Sequence, residues 1–96
     1  MLEVQQTKAF ARWFGRLADV RGKAMIAVRI DRLAFGLAGD ARPVGGGVSE
    51  LRIDHGPGYR VYFIQRGKTL ILLLCGGDKS SQPTDIRRAL QMARDT

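Results

Sequence analysis

Three arginines, two tyrosines and the sole histidine of the chain crowd into residues 50–66, ELRIDHGPGYRVYFIQR. Read as two strands around a Gly-Pro-Gly turn, this stretch sends Arg60 and Tyr62 to one face and Tyr59, Val61 and Phe63 to the other. By the same alternation Glu50 and Arg52 lie opposite Leu51 and Ile53. One face of the hairpin is greasy. The other presents guanidinium groups beside a ring, which suits a phosphate chain whose bases can stack. Lys79, in the GGDKSSQ segment between an apolar strand and a closing helix, adds a cation at a strand end. Arg52, Arg60 and Lys79 together would stabilise charge building on phosphorus during cleavage. The plainer alternative is that Arg52 pairs with Glu50 or a neighbouring strand, and Lys79 with Asp78, as surface ion pairs.

His55, in the turn IDHGPG, has the chemistry of a proton shuttle near neutral pH, and equally that of a polar turn residue with no catalytic part. A single histidine cannot build a His-rich metal cage. No serine sits in a nucleophile elbow. Asp54, Asp78 and Asp85 carry no spacing that marks a carboxylate pair. The Gly45-Gly46-Gly47 run lacks the lysine and Ser/Thr of a phosphate-binding P-loop, and reads as a flexible entry to the next strand.

These residues need elements to position them. Leu2, Val4 and Gln6 alternate as a short opening strand, and Thr7 is placed to cap a helix. In that helix Phe10, Trp13, Phe14 and Leu17 form one stripe at helical spacing. After a break at 18–22, a second helix over 22–35 turns Ile26, Ile30, Leu33 and Leu37 inward and Lys23, Arg29 and Arg32 outward. The two helices are expected to pack as an antiparallel pair. Residues 36–47 read as irregular. Strands follow at 48–54, 59–66 and 69–75, antiparallel because their connections are short. The last is apolar on both faces and belongs inside the sheet. Ser80 to Asp85 opens a closing helix with proline in its first turn, and Ile86, Ala89, Leu90 and Ala93 form its stripe. The expected fold is α+β in the order β-α-α-β-β-β-α. It is an antiparallel sheet with the two N-terminal helices packed on one face, a C-terminal helix, and the other face partly free.

The 96 residues suffice for one domain, 1–96, with one modest core. A composition 45% hydrophobic and 26% charged is that of a globular chain, and a net charge of +7 favours a polyanion or an acidic protein as partner. The lone Cys75 excludes an internal disulfide and is expected to fill core. The start, MLEVQQTKAF, is unlike a signal peptide. The run from Leu70 to Cys75 is too short to cross a bilayer, so no membrane role is expected and a reducing cytoplasm fits.

The segments GVSELRIDHGPGYRVYF (47–63) and LLLCGGDKSSQPTDIRRA (72–89), with FARWFGRLAD and IDRLAFGLAGD before them, resemble the RelE/ParE toxin superfamily. The likeness is greatest to its phage-related, HigB-like addiction module killer branch. It spans nearly the whole chain. It implies a RelE-like fold and the toxin of a type II pair, held inactive by a cognate antitoxin protein. Its targets would be mRNA and the ribosome, with DNA met only indirectly through the antitoxin. Members of the RelE and HigB type cut mRNA in the ribosomal A site without a metal or other cofactor, by attack of the 2′-hydroxyl on the adjacent phosphate. Arg60 falls on the arginine such nucleases use at the scissile phosphate. Arg52 and Lys79 match basic positions near the cleft, and Tyr62 would serve by stacking. The tyrosine those enzymes carry near the closing helix has no counterpart at Thr84-Asp85-Ile86. Acid–base duty would then pass to His55, Asp78, Lys79 or Asp85. Two other activities stay open: ParE-like inhibition of DNA gyrase, and nucleic-acid binding without catalysis.

Overall fold

The computed structural model covers residues 1–96. The chain runs β1 (Glu3–Gln6), α1 (Lys8–Arg16), α2 (Val20–Ala34), β2 (Ala41–Gly45), β3 (Val48–Ile53), β4 (Tyr59–Arg66), β5 (Leu70–Asp78), a short 3-10 turn (Lys79–Ser81) and α3 (Gln82–Asp95). This is an α+β fold, with two differences from the expected order. The glycine-rich segment holds a further strand, β2, which forms an edge by antiparallel pairing with β3. The sheet is mixed rather than wholly antiparallel: its order is β1-β5-β4-β3-β2, and β1 runs parallel to β5. Periodicity could not reveal β2, because ARPVG contains a proline and a glycine that edge strands tolerate and pattern reading scores as loop.

Local chemistry fixes the helix starts. The Thr7 hydroxyl accepts the Phe10 amide at 3.1 Å, and Asp19 accepts the Gly22 amide at 2.9 Å, each satisfying an orphan N–H of the first turn. The Thr7 hydroxyl also donates to the Leu74 carbonyl, fastening α1 to β5. α1 packs over β5 and α2 against β3, so each N-terminal helix leans on its own part of the sheet.

Two cores result, one on each face. Under α1 and α2 lie Phe10, Ile26, Leu33, Leu51, Ile53, Val61, Phe63, Ile71 and Leu73. Leu37, expected in the α2 stripe, lies past the helix end and is exposed. On the opposite face α3 covers Val48, Tyr62, Ile64, Leu74 and Cys75, using Ile86, Ala89, Leu90 and Ala93. A register shift between Tyr62 and Phe63 opposite Leu73 and Cys75 turns both Leu74 and Cys75 to the α3 side. Cys75 is core, and burial pushes its thiol up to about 11. The second face, expected to be partly free, is therefore roofed over its apolar part and open only beyond the start of α3. No helix is long and apolar enough to cross a membrane.

Candidate functional site

Register sets Arg52 directly opposite Arg60 on β3 and β4, and Glu50 opposite Tyr62. Two like charges across a strand pair repel, and a buried carboxylate offsets that. Glu50 is wholly buried; its Oε2 accepts from the Tyr62 hydroxyl at 2.9 Å and from Gln82 Nε2 at 2.7 Å. Its Oε1 faces Arg60 Nε at 3.9 Å, and neither atom has a hydrogen-bond partner. Arg60 Nη1 donates to the Gly58 and Tyr59 carbonyls at 3.1 and 3.3 Å. The guanidinium is thus held from below by a carboxylate and from the side by the turn, while Nη2 is left without a protein acceptor. Only 6% of Arg60 is exposed. Glu50 beneath it offsets part of the cost of taking that cation out of water.

Arg52, Arg60 and Lys79 converge on one cleft of about 440 Å³, whose floor is the turn Gly56-Pro57-Gly58. The Lys79 amide reaches the Pro57 carbonyl at 3.4 Å, tying the segment after β5 to that turn. Gly58 has φ +80, and a Cβ there would meet Arg60 Nη1 at 3.3 Å and Lys79 Cβ at 3.4 Å. Glycine is needed both for the backbone and to keep the cleft open. Asp40 and Asp54 also border the cleft. Arg52 Nε lies 4.0 Å from Asp40 Oδ2, too far for a hydrogen bond, and is buried without a partner. Of the ion pairs offered as the plainer alternative, Arg52 forms the one to its neighbouring strand, through Asp40 at the entry to β2, whereas Arg52–Glu50 and Lys79–Asp78 do not form: Glu50 turns to Arg60, and Asp78 turns to Ser80. Lys79 is exposed and has no ion pair.

Two sequence candidates sit elsewhere. Tyr62, expected to stack on a base, is fully buried beneath α3, and burial with the Glu50 bond holds its hydroxyl protonated far above the usual range. Its ring completes the apolar patch of Ile64, Leu74 and Cys75, which α3 must cover. His55 points away from the cleft to Asp19, with Nε2 3.2 Å from Oδ2. That same carboxylate oxygen accepts from the Tyr59 hydroxyl at 3.0 Å, while the other caps α2. The Gly22 amide, then Tyr59 and His55, hold Asp19 below the usual carboxylate range. Asp85 accepts from the Ser81 hydroxyl and packs on Gly77, and the Ser80 hydroxyl and amide keep Asp78 ionised as a cap. Of the proton-transfer candidates only Lys79 borders the cleft.

Sequence reasoning missed Asp40 and the role of Glu50, and set Asp54 aside because its spacing carried no signal. A glutamate alternating in phase with Arg52 on a strand was the available signal for the last. Arg29, read as surface, instead donates to the carbonyls of Arg52, Ala38 and Asp40 at 2.7, 3.1 and 3.2 Å, clamping α2 to the cleft rim. No three His, Cys, Asp or Glu side chains converge to hold a metal ion.

The chain is 46% identical over 94 residues to an uncharacterized protein of Haemophilus influenzae, a match spanning 98% of this chain and 95% of that one. The two proteins belong to one family. No family model matches the chain.

Proposed function

We propose that this protein is a toxin of the RelE/ParE superfamily, of the HigB-like kind, which cuts mRNA on the ribosome and is restrained by a cognate antitoxin. The observation that carries the reading is the buried Arg60, held on Glu50 with one guanidinium edge open to a cleft that Arg52 and Lys79 also line. A planar fork beside two further cations is suited to a phosphodiester and to the extra negative charge of its pentacoordinate state. In the reaction the 2′-hydroxyl attacks the adjacent phosphorus and the bond to the 5′-oxygen breaks, leaving a 2′,3′-cyclic phosphate and a 5′-hydroxyl. The Lys79 ammonium is the group placed to protonate the leaving oxygen. The Asp54 carboxylate, at the opposite end of the turn, is placed to take the proton from the 2′-hydroxyl. His55 is left to orient the turn through Asp19.

Restraint by an antitoxin is supported next to the cleft. Met25 and Val28 on α2, with Phe35 just past its end, leave an apolar stripe exposed. The groove beside it is flanked by Arg29 and Arg32 and shares Ile53 and Asp54 with the cleft. An acidic, amphipathic antitoxin segment fits that groove and would overlie the cations.

Induction in cells tests the reading. Rapid arrest of translation with mRNA cut inside codons is expected. Lys79→Ala, at an exposed position, should lower cleavage by about 100-fold, the scale of a lost transition-state donor, without altering the fold. Arg60→Lys keeps a cation on Glu50, whereas Arg60→Ala would strand that carboxylate; the lysine variant should be folded and non-toxic. Full toxicity of both variants sinks the assignment. One observation favours ParE-like gyrase inhibition instead: no histidine or tyrosine faces the cleft. That activity would produce filamentation and DNA damage with mRNA intact. Neither phenotype, with salt-sensitive binding retained, would mean a non-catalytic nucleic-acid module.

A further inference from the structure

α1 is opposed by its own charge. Its sequence KAFARWFGR has no acidic residue, and Lys8, Arg12 and Arg16 recur every fourth position along one face. Like charges one turn apart destabilise a helix, and a cation in the first turn opposes the helix dipole. Arg16, in the last turn, meets the helix dipole favourably, but no side chain relieves the like-charge spacing, since none of the three forms an ion pair or a side-chain hydrogen bond to the rest of the chain. The fold adds to it instead. β1 ends at Gln6, so Leu74 to Asp78 of β5 have no strand on that side. There α1, from one face of the sheet, and α3, from the other, border a common cleft of about 350 Å³. Arg88 of α3 joins Arg12 and Arg16 in lining it. Its apolar wall is Trp13 and Leu17, the indole being seated on Gly76, where any Cβ would collide with the ring.

We propose that this α1–α3 cleft is a second nucleic-acid site, in which Arg12, Arg16 and Arg88 grip the phosphodiester backbone of an RNA strand against the wall formed by Trp13 and Leu17. Three uncompensated arginines from two distant segments, brought to one concave surface, are what backbone contacts require. The site shares no residue with the Arg52–Arg60–Lys79 cleft. It rests on RNA being the partner, as proposed above, but not on cleavage.

The test is fluorescence polarisation of a labelled single-stranded 2′-O-methyl oligoribonucleotide, which cannot be cleaved, across roughly 50–200 mM salt. Each phosphate contact contributes about 0.7 to the slope of log affinity against log salt for a single strand. The variant Arg12→Gln/Arg16→Gln/Arg88→Gln should therefore lose about 2 from that slope and bind at least about tenfold more weakly at the lowest salt. A control of equal charge, Arg42→Gln/Lys68→Gln/Arg94→Gln, removes exposed cations elsewhere and should lose less than half as much. A slope like the wild type's, or equal losses in the two triple variants, overturns the proposal. Failure of the cleavage reading would register separately, as intact mRNA in induced cells.

Discussion

At the residue scale, one carboxylate under a guanidinium and one beside an imidazole divide the polar chemistry of the hairpin. Glu50 faces the Arg60 guanidinium in a nearly dry place, and Asp19 holds His55 away from it. Asp19 also gives the hairpin a pH signature. Its folded pKa lies below its ordinary value, chiefly through the Gly22 amide. The stability it contributes is thus complete above the unfolded value of about 3.9 and is lost as pH falls through the depressed folded one. Asp19→Asn should be less stable than the wild type near neutrality, with the gap closing toward about pH 2. Denaturant titrations at several pH values check this; a gap that stays constant would mean that Asp19 acts only as a neutral cap. Alternation alone revealed that Arg52, Arg60, Glu50 and Tyr62 share a face. It could not reveal that Tyr62 lies under a helix while Arg60 lies at an opening, because the two are alike in pattern and differ only in where α3 begins.

At the element scale, β5 is the pivot. Its apolar run places it inside the sheet, and its last glycines accept what crosses it: Trp13 of α1 on Gly76 and Asp85 of α3 on Gly77. Neither contact has room for a methyl group. Gly76→Ala should cost about 1–3 kcal/mol by overpacking against a rigid indole, whereas Gly15→Ala, with no atom within 4 Å of its would-be Cβ, should be neutral or stabilising in its helix. Thermal melts of the pair decide the point; equal midpoints would show that α1 can shift freely. The helix stripes of α1 and α3 were legible because 3.6-residue periodicity is strong over nine or more residues. β2 was not, since its five residues owe their strand form to pairing with β3.

At the scale of the molecule, the excess of +7 is not spread as neutral pairs: three ion pairs within 4.0 Å are formed, one of them through the histidine. Self-repulsion of that kind lowers stability at low ionic strength and is screened by salt. The thermal midpoint should rise by a few degrees between roughly 10 and 150 mM sodium chloride, and a falling midpoint would contradict a surface dominated by unpaired cations. The chain order of residues alone determined the α+β class, the greasy side of the hairpin and the candidacy of Arg52, Arg60 and Lys79, because period and charge are local properties. Only the tertiary structure decided that these three meet at one opening, that His55 and Tyr62 do not join them, and that Arg88 comes to Arg12 and Arg16. Each of those outcomes depends on which elements cross over which, and burial forces that choice through contacts between residues dozens of positions apart.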